Sequence, residues 1–157
     1  MEETMIKKIA HLAIVVSDLE KEIKKYRDIL GLACLGIEEV EAQKVRVALF
    51  DVGGVHIELV APLSHDSPVS NFLKKRGGGI HHIAYEVENL ETQMQVFKKK
   101  GLRLLDSEAG KGASGTRIVF VHPGDMSGVL TELVEKKQVS TGDGEKTGDC
   151  RSDIGDG

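Results

Sequence analysis

The sequence predicts an α+β fold of two tandem strand–helix–strand–strand–strand modules, and three observations carry that expectation. Ile9-Ala10-His11-Leu12-Ala13 is nearly rewritten as Ile80-His81-His82-Ile83-Ala84, with His11 and His82 separated by 71 residues. Gly31 and Gly101, each a natural helix stop, are separated by 70. Val55-His56-Ile57-Glu58-Leu59-Val60 corresponds to Val129-Leu130-Thr131-Glu132-Leu133-Val134 at an offset of 74, the extra residues fitting a longer turn around Pro123. A repeat that cannot cover its own apolar face packs against its twin, and neither copy is long enough to build a comfortable core alone. The modules fall at about 6–62 and 79–136, within one domain over 6–136 that follows a short N-terminal extension, 1–5.

Taken in order, residues 7–16 are apolar and rich in Ile and Val, and read as a strand. Ser17 and Glu20 have capping-box spacing. Leu19, Ile23, Tyr26 and Leu30 then recur at helical spacing up to Gly31. Residues 32–40 and 44–52 read as strands, the second by its alternation of Val45, Val47 and Leu49 with Lys44, Arg46 and Ala48. Gly53-Gly54 signals a hairpin turn, and residues 55–61 form the fourth strand, ended by Pro62. The connection carries a short helix after Pro68, with Val69, Phe72 and Leu73 on its apolar side. Its exit is Gly77-Gly78-Gly79.

The second module repeats this order. A strand is expected over 80–87, then a helix marked by Leu90, Met94 and Phe97. Further strands are expected over 102–107, 116–121 and 127–134. A glycine-rich loop spans 109–115, and His122-Pro123-Gly124-Asp125 makes a turn. Residues 137–157 are dominated by Gly, Asp, Ser and Thr. That stretch is too polar to offset its own ordering entropy, and a flexible tail without a catalytic part is expected.

The totals exclude several classes. With 157 residues and a net charge of −4, the chain shows no basic stripe, which argues against nucleic acid as its main partner. Its N-terminus lacks an apolar signal core, and no run approaches the ~20 apolar residues of a membrane span. Cys34 sits in an apolar segment and Cys150 in the polar tail, which does not read as a disulfide framework. A reduced, cytoplasmic setting is the expectation.

The chemistry rests on the repeat. It places one His and one Glu in each module, His11 with Glu58 and His82 with Glu132. Each is an ordinary strand side chain when taken alone. Their recurrence singles them out, because Val or Leu would serve a core better and buried charge is costly unless paired or bound to metal. If the two modules curve around a shared cleft, two imidazoles and two carboxylates meet as ligands for Co, Ni, Mn, Zn or Fe(II). His81 is assigned to structure or a supporting role, because successive strand side chains face opposite ways. His56 ranks below Glu58, since its counterpart is Leu130. His65 and His122 are expected at the surface. Gly110-Lys111-Gly112-Ala113-Ser114-Gly115 and the following Arg117 are candidates to hold a substrate carboxylate through backbone amides and positive charge. The same stretch also reads as an ordinary hairpin loop.

Ala10-His11-Leu12-Ala13-Ile14, Gly78-Gly79-Ile80-His81-His82-Ile83-Ala84-Tyr85-Glu86-Val87, and His122-Pro123 followed by Gly128-Val129-Leu130-Thr131-Glu132-Leu133 resemble the methylmalonyl-CoA epimerase family. That family lies in the vicinal oxygen chelate superfamily, which also contains glyoxalase I. Ala61-Pro62-Leu63 and Asp66-Ser67-Pro68 resemble the family's linker. The resemblance covers roughly residues 6–136. It implies paired βαβββ modules forming a curved mixed sheet around a metal cleft, a divalent ion (often Co2+, with Ni2+, Mn2+ and Zn2+ as alternatives), a CoA thioester substrate and a homodimer. Metal ligation by His11, His82 and Glu132 follows from it, with Glu58 at a fourth position that can hold Gln. Glu132 and Glu58 would act as the bases of an epimerisation. Two departures stand out. Glyoxalase I also has Glu at the fourth position, and Val47 occupies the third-strand place where the family can carry a non-ligand glutamate base. A glyoxalase I-type lyase or isomerase, and a non-enzymatic binding module of the same fold, are the alternatives.

Overall fold

In the computed structural model, which describes residues 6–137 and Cys150, eight strands form one mixed sheet. The expected extension at 1–5 and most of the expected tail, 138–149 and 151–157, lie outside the described residues. The chain runs β1 (Ile6–Val15), α1 (Leu19–Lys24), β2 (Ala33–Val40), β3 (Val45–Val52), β4 (Val55–Pro62) and α2 (Pro68–Arg76). It continues as β5 (Gly79–Val87), α3 (Leu90–Lys99), β6 (Gly110–Lys111), β7 (Arg117–Val121) and β8 (Thr131–Glu135).

The strand order β2-β3-β4-β1-β5-β8-β7-β6 makes the duplication visible. β1 pairs in parallel with β4, β5 pairs in parallel with β8, and β1 meets β5 antiparallel at the centre. The two modules thus share one curved, half-barrel sheet, related by a pseudo-twofold between β1 and β5.

Helix placement follows from the apolar patterns. Asp18 caps α1 by accepting the Lys21 N–H, so the cap lies one residue later than the Ser17 expectation. Leu19 and Ile23 of α1 pack on Ala48, Phe50 and Leu59 of β3 and β4. A π-helical turn, Lys25–Ile29, then leads to Gly31, whose φ of 71° lets the chain leave the helix. Asn89 caps α3 in the same way as Asp18. Leu90 and Met94 pack on Val119, Val121 and Leu133; full burial of one such Leu stabilises by roughly 1.5–3 kcal/mol. The opposite face of the first module, with Ala13, Val45, Val47 and Val60, packs with Val69 of α2.

Three expectations need correction. Residues 102–107 form no strand: Leu104 makes one isolated bridge to Val121, and the edge of the second module is the two-residue β6. Polar Asp106 and Ser107 offer no apolar face to hold that stretch on the sheet. The last strand begins at Thr131 rather than 127, because Ser127 and Gly128 take positive φ in a turn. Cys34 and Cys150 are bonded to one another, with Cα atoms 6.3 Å apart across a sequence separation of 116. Arg27 Nη1 donates to the Cys150 carbonyl at 3.0 Å. The contrast between an apolar strand and a polar tail describes only local settings, and it does not report contacts between residues distant in sequence.

Candidate metal centre

Sheet register brings the four repeated side chains together. Along β1, His11 and Ala13 share a face, and Ala13 sits beside Glu58 of β4. Along β5, His82 and Ala84 share a face, and Ala84 sits beside Glu132 of β8. Across the central pair His11 faces Ala84 and Ala13 faces His82. The small alanines, both fully buried, leave room for the two imidazoles to meet.

His11 Nε2 lies 3.2 Å from His82 Nε2. Glu132 spans both, with Oε1 3.3 Å from His11 Nε2 and Oε2 3.2 Å from His82 Nε2. Glu58 Oε2 lies 3.4 Å from His11 Nε2. Ligand atoms of His11, His82 and Glu132 all lie within 4.8 Å of one another, and Glu58 stands beside that trio. All four residues are buried.

Electrostatics favour a cation here. Burial pushes the His11 pKa down to about 4, with Glu132 opposing and His82 and His56 adding to the fall. The ring is therefore neutral near pH 7, with a lone pair free to bind. Burial raises the Glu58 pKa well above its ordinary value, helped by the nearby Glu132 and Glu38 carboxylates. Two carboxyl groups and two imidazoles converge at buried positions, where polar groups are costly unless paired or bound to a cation. The nitrogen and oxygen donor set therefore fits a borderline divalent metal.

The cavity beside these groups is walled by Val40, Val45, Val47, Val60, Val69 and Phe120. Val47 is part of this apolar wall. His81 also lines the cavity, which corrects the expectation that only one of the two adjacent histidines does so. On β5 the register steps from His82↔Ala13 to Ile80↔Ile14, so His81 occupies a bulge where the strict alternation breaks.

The glycine-rich loop divides in two. Gly112 and Ala113 line the cavity, while the Ser114 N–H donates to the Glu38 carboxylate on β2. The Lys111 carbonyl accepts from Gln43 Nε2 at 3.0 Å. Those two contacts hold the loop of the second module across the cleft to the first. Arg117 is engaged by Glu91 and Glu135 and is not among the cavity-lining residues. His56 lies beside Glu58 in an adjoining depression, 4.0 Å from Asp51. His65 is exposed, and His122 is half-buried with Nδ1 accepting the Gly124 N–H. Gln43 and Glu38 were not singled out from the sequence, since nothing in the repeat marks them.

A family model described as the Glyoxalase/Bleomycin resistance protein/Dioxygenase superfamily matches residues 10–120. The chain belongs to that superfamily. Within it, the chain closely resembles methylmalonyl-CoA epimerases. A Mus musculus protein named methylmalonyl-CoA epimerase, mitochondrial, is 40% identical over 127 residues, 80% of this chain and 71% of that protein. The crystal structure of methylmalonyl-CoA epimerase from Mycobacterium tuberculosis superposes with a TM-score of 0.84 at 36% identity, covering 88% of this chain and 93% of that one. A methylmalonyl-CoA epimerase in complex with methylmalonyl-CoA and NH4+ gives a TM-score of 0.80 at 35% identity, covering 83% and 95%.

Proposed function

We propose that this protein interconverts (2R)- and (2S)-methylmalonyl-CoA, using a divalent metal held by His11, His82 and Glu132 with Glu58 alongside. The observation that carries the reading is the buried convergence of His11, His82 and Glu132 in a chain that matches methylmalonyl-CoA epimerases over most of its length. A divalent ion in this place supplies a Lewis acid for the thioester oxygen and fixes the substrate's orientation. Co2+ is the ion we favour, a homodimer the assembly and the cytoplasm the compartment. The resemblance supports the first two. Among the described residues no helix is long and apolar enough to cross a membrane.

The carbon between thioester and carboxylate carries a weakly acidic proton. Glu132, on the second module, is the base for one face of that carbon. Glu58, its counterpart across the pseudo-twofold, serves the other and takes the place of a base at Val47. A positioned base of this kind contributes ~10²–10⁴ in rate. The valine-lined cavity presents apolar surface to the reacting carbon, and the proton is returned by the opposing carboxyl group. Gly112 and Ala113 of the cavity, with Lys111 and Ser114 beside them, are assigned to the substrate carboxylate.

Incubation with methylmalonyl-CoA in heavy water tests the reading: enzyme-dependent deuterium uptake at the α-carbon is expected. Glu58 also favours a second reading, a glyoxalase I-type reaction. Absence of exchange together with turnover of the methylglyoxal–glutathione adduct would establish that one instead.

A further inference from the structure

His82 uses its Nε2 to face Glu132 and His11. Its other ring nitrogen is not idle, because His82 Nδ1 lies 2.9 Å from His81 Nδ1. An imidazole that offers the Nε2 lone pair to a cation must carry its proton on Nδ1. His82 is then the donor in this contact. His81 must accept through Nδ1 and keep its own proton on Nε2.

The setting of His81 suits that task. The bulge at Ile80–His82 turns it toward the same cavity as His82, where a regular strand would have sent it to the other face. Its ring stands edge-on to Phe72 of α2 at 5.0 Å between centroids. The Arg76 guanidinium covers that same Phe72 ring at 5.3 Å. The linker helix thereby limits the rotation of His81. The first module carries Ala10 at the equivalent place, so this support is present on one side only.

We propose that His81 is a positioning residue for the metal centre: by accepting the His82 Nδ1–H, it fixes the tautomer and ring angle that aim His82 Nε2 at the cation. The assignment rests on the metal-centre reading but not on the identity of the substrate. A partner of this kind typically changes metal affinity by 10–100-fold. It also gives the doubled histidine a division of labour, one ring directed at the cation and one holding it in place.

The test is Co2+ affinity of the metal-free protein, measured by competition with a chelating dye for wild type, His81→Leu and His81→Asn. Leucine removes the acceptor, whereas the asparagine amide oxygen replaces it near the Nδ1 position. His81→Leu is expected to weaken Co2+ binding by 10–100-fold and His81→Asn to recover most of that loss. Equal affinity in all three proteins would overturn the proposal, as would equal loss in both variants, which would mark a packing role. Wild type without Co2+ affinity would remove the centre and the proposal with it. If His81→Leu does not fold, nitrogen-15 imidazole spectra of the zinc-loaded wild type decide the matter: His81 protonated on Nε2 supports the assignment, and His81 protonated on Nδ1 refutes it.

Discussion

Acidifying the metal-free protein should cost stability through His11, and the size of the effect follows from its burial. The ring is almost wholly inside the cleft, and its pKa falls from 6.5 to about 4. In the unfolded chain it titrates near 6.5. Between those two values the unfolded state binds a proton that the folded state refuses. The His11 contribution is therefore complete above about pH 6.5 and is lost as the pH falls through about 4. At about 1.4 kcal/mol per pH unit, the difference amounts to about 3 kcal/mol. Glu58 acts in the opposite sense. Its raised pKa favours the folded state at low pH, and that contribution fades as the pH rises above the ordinary carboxylate range. Urea denaturation of chelator-treated wild type and His11→Asn, repeated from pH 7 to pH 4, isolates the His11 part as the difference between the two curves. That difference should shrink by about 3 kcal/mol toward acid. A flat difference, within about 0.5 kcal/mol, would mean that His11 titrates normally, and the reasoning from burial would fail.

Other expectations bear on the same site and on its frame. Glu132→Gln should abolish α-proton exchange with the fold retained, as judged by circular dichroism and deuterium uptake; near-normal exchange would remove Glu132 from the chemistry. Glu58→Gln should keep Co2+ binding yet slow epimerisation by ~10²–10⁴, and undiminished turnover would leave it a ligand at most. Reduction of the Cys34–Cys150 bond, or Cys150→Ser, should lower stability by about 2–4 kcal/mol because the bond closes a long loop. Identical urea midpoints with and without reductant would contradict that value.

The repeat made the centre legible. An offset between two similar strands was enough to pair His11 with His82 and Glu58 with Glu132, and strand pairing brings all four together. Alternation likewise marked Val45 and Val47 as one face, now the cavity wall. What escaped the sequence depends on contacts between segments far apart in the chain. The Cys34–Cys150 bond joins residues that share no local pattern. Gln43 and Glu38 act by reaching across the cleft to the 110–116 loop, and no periodicity signals such a reach. His81 departs for another reason: alternation of side chains requires an unbroken strand, and the bulge opposite Ala13 and Ile14 breaks it.

The duplication explains why the site exists, and its imperfections bear on what it does. Two identical half-sites would present the substrate carbon with two identical carboxylates, yet an epimerase needs one group to accept a proton while the other holds one ready. Glu132 bridges both histidines, whereas Glu58 touches only His11. Burial next to Glu132 and Glu38 favours the protonated form of Glu58. On the proposed reading, the direction of epimerisation in each turnover is set by which carboxyl carries that proton.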